Sequence, residues 1–434
     1  MELEIINWSD LDPATQASLL ARPGAGESSA QTDAVAEIIQ QVRTEGDAAL
    51  RRYTKEFDRA ELDELRVSAE EADSAEAALA AETLAAIDVA IGNVRAFHEA
   101  QLPVPLAVET SPGILCERIS HPIEAVGLYV PAGSAPLPSA AVMLGVPAAL
   151  AGCPTRIMCT PPRADGTADP AVVAAARRAG VDTIYKVGGA QAIAAMAYGT
   201  ESIPKVRKIF GPGNTWVTLA KTLVAASPGG AAIDMPAGPS EVLVIADGSA
   251  SASFVAADLL SQAEHGSDSQ VILLTTSQAL AGQVLQALKR QLKTLGRREI
   301  AEAALAHSRV IVVDDVETAI TISNSYAPEH LIMQIDSPRN WLPAVRNAGS
   351  VFLGPWAPES VGDYCSGTNH VLPTNGYANT YSGLGIDQFL RQMSVQELSH
   401  DGLLSIAETV VELATVEGLD AHAAAVKLRL GPSQ

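Results

Sequence analysis

Two strand–turn–helix units follow one another in the stretch TIYKVGGAQAIAAMAYGTESIPKVRKIFGPGN, residues 183–214, and this repeat decides the fold. The apolar run TIYKV meets Gly188-Gly189 and then an alanine-rich segment with helical character. The run VRKIF meets Gly211-Pro-Gly-Asn214, after which a second helix is predicted. Strand, glycine turn and helix repeated in this order predict parallel strands joined by crossover helices.

The same alternation extends in both directions from this stretch. Further strands are predicted at 114–119, 125–130, 156–159, 241–246, 270–275, 309–313, 331–335 and 350–352. Predicted helices fill most of the intervals between them. Two alternating blocks, the second beginning after Met235, predict an α/β fold with two doubly wound parallel sheets and a ligand cleft between them.

The two ends of the chain differ from its centre. The apolar spacing is helical from residue 32 to residue 98, and one long Ala/Glu-rich helix is predicted at 70–100. Residues 354–394 are irregular and rich in Gly, Pro, Asn and Thr, which indicates a functional loop in a compact protein. Two helices, 400–415 and 420–430, are predicted to close the chain.

Composition restricts the class of protein. The 434 residues are 47% hydrophobic and 18% charged, which is typical of a globular chain of two or three domains. The formal net charge of −21 disfavours nucleic-acid and anionic membrane partners. The N-terminus lacks a signal-peptide pattern, and no apolar run is long enough to span a bilayer. The four cysteines form no CxxC pair, so we expect a reducing, cytoplasmic location.

The two glycine turns are candidates for a nucleotide site. The chain has neither GxGxxG after a strand nor GxxxxGK[ST], and instead places Val187-Gly-Gly-Ala-Gln191 and Phe210-Gly-Pro-Gly-Asn214 between strands and helices. Glycine there lets backbone N–H groups approach an anion at a helix N-terminus. Each turn taken singly is simply a tight turn. Their occurrence at two consecutive strand ends is what indicates nucleotide binding.

Metal-ligand candidates come from three distant segments. Gln262 and His265 end a predicted helix and are three residues apart, so their side chains share one helix face. Together they would form half of a metal site, although a capping His beside a solvated Gln explains the same spacing. Adding Asp363 from the long loop and His422 from the tail gives a nitrogen and oxygen set compatible with zinc or manganese.

Acid–base candidates lie in Ala327-Pro-Glu-His330. The proline ends a helix and a strand follows, so Glu329 and His330 lie on a turn at the strand edge. A histidine with a pKa near its ordinary value of about 6.5 accepts protons at neutral pH, and a neighbouring carboxylate activates water or holds charge. An exposed polar pair in front of a strand is the alternative.

The chain resembles the histidinol dehydrogenase family over nearly its whole length. The motifs that carry this resemblance are Gly127-Leu-Tyr-Val-Pro, Val187-Gly-Gly-Ala-Gln, Phe210-Gly-Pro-Gly-Asn, Met235-Pro-Ala-Gly-Pro-Ser-Glu, Leu260-Ser-Gln-Ala-Glu-His-Gly, Tyr326-Ala-Pro-Glu-His and Tyr364-Cys-Ser-Gly-Thr-Asn-His. The resemblance implies NAD-dependent oxidation of L-histidinol to L-histidine through L-histidinaldehyde, in histidine biosynthesis. It also implies one zinc ion per subunit.

The resemblance assigns roles to particular residues. The implied zinc ligands are Gln262, His265, Asp363 and His422. His330 is the implied base, and Glu329 the implied activator of water. The implied substrate contacts are Ser240, Gln262, His265, His330, Asp363, His370, Glu417 and His422. The implied NAD contacts are Tyr129, Gln191 and Asn214.

The domain organisation combines the pattern with the resemblance, which implies two incomplete Rossmann-like domains in a homodimer with exchanged terminal segments. We expect an arm at 1–26 and a first α/β domain, 27–125 with 236–385, that holds the metal and catalytic residues. Residues 126–235 are expected to form the nucleotide-binding domain. The helical tail, 386–434, is expected to reach the partner subunit and complete a shared active site.

Two other functions compete with this interpretation. A dehydrogenase on the same scaffold would oxidise another alcohol to its acid, but His370 and Glu417 are suited to a cationic amino-imidazole substrate. A zinc hydrolase would use Glu329 and a metal-bound water. That class leaves the two glycine turns unexplained, and the sequence has no HExxH motif.

Overall fold

A computed structural model of the chain describes residues 3–23, 29–132, 135–236 and 238–431. Its strands are β1 (Ile5–Asn7), β2 (Leu106–Ser111), β3 (Ile114–Pro122), β4 (Ala125–Tyr129), β5 (Thr155–Thr160), β6 (Thr183–Lys186), β7 (Lys208–Phe210), β8 (Ala232–Ile233), β9 (Glu241–Ala246), β10 (Gln270–Thr275), β11 (Arg309–Val312), β12 (His330–Gln334), β13 (Ser350–Leu353) and β14 (Leu390–Leu398).

Helices surround these strands on both sides. They are α1 (Pro13–Leu19), α2 (Ser29–Glu45), α3 (Asp47–Tyr53), α4 (Ala69–Ala77), α5 (Ala81–Glu99), α6 (Pro138–Leu150), α7 (Pro170–Arg178), α8 (Gly189–Tyr198), α9 (Thr215–Ala226), α10 (Ala252–Ala263), α11 (Gln278–Gln291), α12 (Arg298–Leu305), α13 (Val316–Tyr326), α14 (Glu359–Tyr364), α15 (His400–Val416) and α16 (Asp420–Leu430). One π-helical turn, Thr54–Asp58, follows α3.

The larger sheet has six parallel strands in the order β1-β11-β10-β9-β12-β13. Strands β9 and β10 are buried at every position, as expected for parallel strands covered on both faces. In β9, Val242 and Val244 pack with α10, α11 and α12, whereas Leu243 and Ile245 pack with α13 on the opposite face. The continuous apolar run of this strand therefore serves two cores.

The second sheet has five parallel strands in the order β6-β5-β4-β7-β8. Helices α2, α3, α8 and α9 cover one face, and α4, α5, α6 and α7 cover the other. The predicted α/β class with two doubly wound parallel sheets is confirmed by this architecture.

The N-terminal helices pack on the five-stranded sheet. Val35 and Leu50 lie in the same core as Ile157 of β5, and Val94 lies in the same core as Leu128 of β4. This packing differs from the sequence-based grouping of 27–125 with 236–385. Helical periodicity defines an apolar face, but it does not say which sheet that face covers.

The expected arm at 1–26 is partly built into the larger sheet. Strand β1 pairs in parallel with β11, from Ile5 opposite Val310 to Asn7 opposite Val312. The predicted end of the arm at residue 26 lies outside the described residues. A three-residue strand at the edge of a sheet carries too little periodicity to be found from sequence.

The predicted helix at 70–100 is two helices. Helix α4 ends at Ala77 and α5 begins at Ala81, with a bend of 107° between them. The intervening sequence has no glycine or proline. The break lets Ala72 and Ile87 reach one common core, so tertiary packing overrides helix propensity here.

A three-stranded antiparallel sheet, in the order β14-β3-β2, was only partly predicted. Strand β3 was expected, but β2 and β14 were not, and β14 begins inside the segment read as irregular. Most residues of both strands are exposed, so they lack the apolar alternation that marks a half-buried strand. Helix α15 follows β14 and packs on α16, the predicted closing helix pair.

One linker joins the two parallel sheets, and it connects opposite edges of them. Strand β8 ends at Ile233 and β9 begins at Glu241, so a linker of seven residues, 234–240, joins them. Such a linker spans at most about 30 Å. The chain therefore passes from the carboxyl edge of the five-stranded sheet to the amino edge of the six-stranded sheet. Among the described residues, no single helix is long and apolar enough to cross a membrane, whereas the bent pair α4 and α5 together meets that length and composition test.

Candidate active site

The predicted acid–base pair lies at the amino edge of the six-stranded sheet. Ala327 ends α13 in a left-handed conformation with φ of 52°, and Pro328 follows it. The chain then turns into β12, which pairs with β9 so that His330 lies opposite Val242. Glu329 and His330 are both buried, at 6% and 4% exposure. Burial removes the alternative of a solvated polar pair.

Hydrogen bonding fixes the tautomer of His330. Its Nδ1 lies 3.2 Å from the carbonyl oxygen of Glu241, which can only accept, so Nδ1 carries the proton. Glu329 Oε2 is also on this side, 3.4 Å from Nδ1. The opposite nitrogen, Nε2, has no hydrogen-bond partner among the described residues and faces Asp363 Oδ1 at 3.6 Å. Nε2 is therefore the nitrogen available to a substrate.

Carboxylates crowd around this imidazole. Glu329 Oε2 accepts the backbone N–H of Glu241 over 2.9 Å. Glu359, at the start of α14, is 1% exposed and accepts the hydroxyl of Ser261 over 2.9 Å. Asp363 is four residues further along the same helix, on the same face. Three carboxylates thus surround one imidazole in a buried space.

The ionisation of these groups reflects the crowding. Burial raises the pKa of Glu359 to about 8, against the opposing charge of His330. Burial lowers the pKa of His330, but in the metal-free cluster the Glu329 carboxylate, assisted by Asp363 and Glu359, outweighs it and raises that pKa. A cation bound among these carboxylates would offset their charge and favour the neutral ring, whose Nε2 can then accept a proton. Buried charge of one sign is stable only when a counter-charge offsets it. The cluster is therefore suited to a cation.

The donor atoms have the spacing of a cation site. One ligand atom each from His265, Glu359 and Asp363 lie within 4.8 Å of one another. Gln262, with its amide oxygen and nitrogen swapped, donates its nitrogen to Glu359 Oε2 over 2.8 Å. The same nitrogen lies 3.2 Å from His330 Nδ1, where no hydrogen bond forms because Nδ1 carries a proton. The bond to Glu359 directs the amide and leaves the oxygen as the ligand atom. An imidazole with carboxylate and amide oxygens fits zinc or manganese and excludes a thiolate site.

Two predicted substrate contacts lie on the same edge. Ser240 immediately precedes β9, next to the Glu241 carbonyl that holds His330. His370 donates from Nδ1 to the backbone carbonyl of Asp363 over 2.8 Å. Burial lowers the pKa of His370, so its ring is neutral and its Nε2 can accept a hydrogen bond.

The predicted nucleotide residues lie at the carboxyl edge of the five-stranded sheet. Tyr129 ends β4, and its hydroxyl accepts the backbone N–H of Gly189 over 3.1 Å, which joins two neighbouring strand ends. Gly189 has φ of 65°, a conformation that favours glycine. Asn214 caps α9 by accepting the Val217 N–H over 3.1 Å, so its amide nitrogen stays available as a donor.

Gln191 is the clearest sign of a missing polar partner. It is 1% exposed, yet neither its amide oxygen nor its amide nitrogen has a hydrogen-bond partner among the described residues. The Thr160 hydroxyl, at the end of β5, is likewise buried and unpaired. Buried polar groups are almost always paired, so these atoms indicate a polar ligand at this edge.

Glu417 and His422 are not brought to the cluster within one chain. Glu417 follows α15 as its C-cap, His422 lies in the first turn of α16, and both are exposed. No side-chain hydrogen bond or ion pair to either residue occurs in the described ranges. The helix pair also exposes Leu413, Val416 and Leu428, at 58%, 76% and 81%. An apolar face of this kind typically meets another protein surface.

Two residues of the site were missed in the sequence. Glu359 supplies a carboxylate to the cluster, and Glu241 supplies the carbonyl that fixes His330 and the N–H that binds Glu329. The signal for Glu359 was its position four residues before Asp363, which shares a helix face if a helix forms there. That helix has only six residues and lies inside a segment read as loop.

Comparison with known proteins gives a consistent set of similarities. The family model described as histidinol dehydrogenase matches residues 21–430. The chain is 57% identical to the histidinol dehydrogenase of Xanthomonas axonopodis pv. citri (strain 306), over 99% of both proteins. It is 54% identical to that of Vibrio vulnificus (strain YJ016), over 99% of this chain and 98% of the relative. The crystal structure of histidinol dehydrogenase from Elizabethkingia anophelis matches with a TM-score of 0.95 and 47% identity, over 99% of this chain and 98% of that one.

Proposed function

The chain belongs to the histidinol dehydrogenase family of oxidoreductases, and from this premise we propose that it oxidises L-histidinol to L-histidine through L-histidinaldehyde, with NAD as the hydride acceptor. The observation that carries the proposal is the buried cluster of Glu329, His330, Glu359 and Asp363 beside His265. It combines a base with a cation site, and alcohol oxidation requires a base next to a fixed substrate.

Gln262, His265 and Asp363 would hold zinc, with His422 of a second subunit as the fourth ligand. When bound, the ion anchors the imidazole and amine of the substrate and offsets the charge of the surrounding carboxylates. Glu359 lies within reach of the same point and orients Gln262 through the amide hydrogen bond. The residues present therefore fit the ion that the family implies.

The first oxidation uses His330. Its Nε2 accepts the hydroxyl proton of histidinol while a hydride leaves the same carbon for NAD, which gives the aldehyde, NADH and an imidazolium. Glu329, 3.4 Å from Nδ1, stabilises that imidazolium. The Glu241 carbonyl keeps the proton on Nδ1, so the basic nitrogen faces the substrate throughout. General base catalysis of this kind contributes roughly 10²- to 10⁴-fold.

The second oxidation needs water and a second NAD. His330 first releases its proton to solvent. Glu329 then accepts a proton from water as the water oxygen attacks the aldehyde carbon, which gives the anion of the hydrated aldehyde. A second hydride then leaves that carbon, His330 accepts the remaining hydroxyl proton, and histidine is released as a carboxylate. One histidinol, one water and two NAD give one histidine, two NADH and three protons.

NAD binding is proposed for the carboxyl edge of the five-stranded sheet. Gln191 offers an unpaired donor and acceptor to one polar group of the cofactor, and Asn214 offers its amide nitrogen. The hydrogen bonds that Gln191 and Asn214 offer are neutral and worth about 0.5–1.5 kcal/mol each. Modest affinity suits a cofactor that must leave and be replaced while the intermediate stays.

Two subunits are proposed to share each active site. Glu417 and His422 are exposed on a helix pair with an apolar face, away from the cluster of their own chain. In a two-fold dimer the tail of one subunit would reach the cluster of the other, where His422 binds the ion and Glu417 the substrate amine. A two-fold axis makes both sites equivalent.

Mixed dimers test this sharing. His265→Ala and His422→Ala chains are each expected to be inactive alone. Unfolded together and reassembled, half of the dimers are mixed, and each mixed dimer has one intact and one doubly altered site. About a quarter of the wild-type activity should therefore return. Mixed dimers that are shown to exist and have no activity would contradict the shared site and leave the metal assignment intact.

Stoichiometry tests the reaction itself. Purified protein with zinc, excess NAD and a limiting amount of L-histidinol should form two NADH per histidinol, with histidine as the product identified by chromatography. One NADH per histidinol would mean that the reaction stops at the aldehyde. No NADH with any alcohol, together with hydrolysis of an amide or ester, would support the zinc hydrolase instead.

A further inference from the structure

We propose that Asp58 binds the two hydroxyl groups of the adenosine ribose of NAD and so selects NAD over NADP. This inference rests on the proposed function and adds a specificity-determining residue to it. Asp58 lies outside the two parallel sheets and outside every motif discussed above. Asp58 lies near the carboxyl end of β6, its carboxylate has a buried oxygen that is unpaired in the described ranges, and the end of β5 has no carboxylate.

The position of Asp58 follows from the backbone around β6. The Lys186 N–H donates to the Leu65 carbonyl over 2.7 Å, and the Val67 N–H donates to the Ile184 carbonyl over 2.9 Å. Residues 65–67 therefore run antiparallel to β6, and the chain before Leu65 lies beyond its carboxyl end. Asp58 ends a π-helical turn in that preceding segment, where Arg59 has φ of 57°.

The carboxylate of Asp58 has an unpaired buried atom. Its Oδ2 is inaccessible to solvent and has no hydrogen-bond partner among the described residues. Burial raises the pKa of Asp58 to about 6, so the group is mostly ionised at neutral pH. An ionised oxygen buried without a partner is costly, and proteins keep such groups mainly where a ligand satisfies them.

The chain places Asp58 next to the proposed nucleotide residues. Ala60, two residues after Asp58, is buried in the same core as Tyr129 and as Val187, which precedes the glycine turn. Burial raises the pKa of the Tyr129 phenol, and the Asp58 carboxylate contributes to the same shift. The Tyr129 hydroxyl binds the Gly189 N–H at the start of α8, the helix that carries Gln191. Asp58, Tyr129 and Gln191 therefore belong to one edge, where Gln191 and Thr160 also have unpaired polar atoms.

The chemistry at this edge points to a ribose. In the usual Rossmann arrangement, an acidic residue at the end of the second strand binds the ribose hydroxyls of NAD. Here the second strand, β5, ends at Cys159 and Thr160, and two prolines follow, so that position has no carboxylate. Asp58 brings one to the same edge from the N-terminal helical region. A carboxylate accepts hydrogen bonds from a diol and repels a 2′-phosphate.

Asp58→Asn tests the proposal against a matched control. Glu56→Gln removes the same charge from the same turn, but Glu56 is exposed. With L-histidinol as substrate, Asp58→Asn should raise the KM for NAD about 10- to 100-fold, as expected for loss of a charged hydrogen bond. The kcat at saturating NAD and the KM for histidinol should stay unchanged. The ratio of kcat/KM for NAD to that for NADP should fall at least about tenfold, whereas Glu56→Gln should change neither quantity.

A binding measurement covers the case in which Asp58→Asn lowers stability. Calorimetry at a temperature where circular dichroism shows both proteins folded should give weaker ADP-ribose binding to the variant, and a smaller preference over ADP-ribose 2′-phosphate. Unchanged affinity and preference would overturn the proposal, as would an equal effect of Glu56→Gln. If the proposed function itself were wrong, wild-type protein would form no NADH from histidinol. That outcome is distinguishable from unchanged nucleotide affinity in Asp58→Asn.

Discussion

The six-stranded sheet carries its ionisable groups at the amino ends of β9 and β12, whereas the five-stranded sheet has its glycine turns and unpaired amide at the carboxyl ends of β6 and β7. The carboxyl edge of a parallel sheet is the usual place for a ligand. The proposed NAD site follows that rule, whereas the proposed cation and acid–base site lies at the amino edge of the six-stranded sheet. In the six-stranded sheet, the carboxyl end of β12 is filled by Gln334, which donates to the buried Asp258 over 2.6 Å.

The two proposed sites differ in the chemical groups that build them. A nucleotide site uses backbone N–H groups and helix N-termini, and sheet topology supplies these at carboxyl ends. A cation and acid–base site uses side chains, so it can be built wherever helix ends and strand starts converge. Here α10, α14 and the start of β12 converge. The first edge suits a ligand that exchanges, and the second suits a ligand that stays.

Metal removal should affect the amino edge of the six-stranded sheet and leave the carboxyl edge of the five-stranded sheet unchanged, which is the largest difference that we expect. Chelation followed by removal of the chelator is expected to abolish histidinol oxidation, because the carboxylate cluster loses its counter-charge and the substrate its anchor. Zinc, or manganese as a substitute, should restore activity. The affinity for ADP-ribose, measured by calorimetry, should not change. Full activity in protein shown by elemental analysis to be metal-free would contradict the metal site.

Glu329 and His330 should affect the two oxidations differently. Glu329→Gln keeps the shape but removes the acceptor for a water proton, so aldehyde oxidation should slow by roughly 10²- to 10⁴-fold and more than alcohol oxidation. His330→Asn should slow alcohol oxidation at least as much. Single-turnover rates with histidinol and with histidinaldehyde measure both. Equal and small losses in both steps for both variants would reduce this pair to a structural turn.

Gln191→Leu should weaken the nucleotide edge and strengthen the fold. The substitution removes two unpaired polar atoms from a residue that is 1% exposed, so the melting temperature of the cofactor-free protein should rise by a few degrees. The KM for NAD should rise about tenfold, with the KM for histidinol unchanged. A loss of stability with normal NAD kinetics would show that Gln191 is a core residue.

Asp258→Asn should change stability without changing activity. Burial raises the pKa of Asp258 from 3.8 to about 6, so the ionised carboxyl destabilises the fold fully above pH 6 and not at all below about pH 4. The asparagine variant should be more stable than wild type by about 1–3 kcal/mol at pH 7–8, because its amide can also reach the unpaired Gln334 Oε1. This advantage should disappear as the pH falls from 6 to 4.

Urea unfolding at several pH values measures that difference, and steady-state kinetics provide the control. Unchanged kcat and KM would agree with a structural role for the carboxyl edge of the six-stranded sheet. A large loss of activity in Asp258→Asn would mean that this edge also takes part in the reaction, and the comparison between the two edges would fail.

The sequence predicted most of what depends on local pattern. Strand–turn–helix repeats gave both parallel sheets, because apolar runs and glycine turns are encoded within about 30 residues. It did not predict the packing of Val35 and Leu50 on the five-stranded sheet, nor strand β14. Those features depend on contacts between distant segments, which periodicity does not specify.

The residues of the candidate site also differ in whether local sequence could identify them. Gln262 and His265 were identifiable because they are three residues apart at the end of a predicted helix, although α10 ends at Ala263 and His265 lies in the turn that follows. Glu329 and His330 were identifiable because a proline turn precedes a strand. Glu359 and Glu241 were missed because their roles appear only when α14 and β9 meet β12. Asp58 was missed because a single acidic residue in a helical segment is most often a solvated one.

The central claim is that the intermediate stays at the amino edge while NAD exchanges at the carboxyl edge. Isotope trapping tests it most directly: enzyme with zinc and excess NAD turns over radiolabelled L-histidinol in the presence of a large pool of unlabelled L-histidinaldehyde. We expect the label to appear in histidine without entering the free aldehyde pool. Label that accumulates in free histidinaldehyde, diluted by the pool before it reaches histidine, would contradict retention of the intermediate.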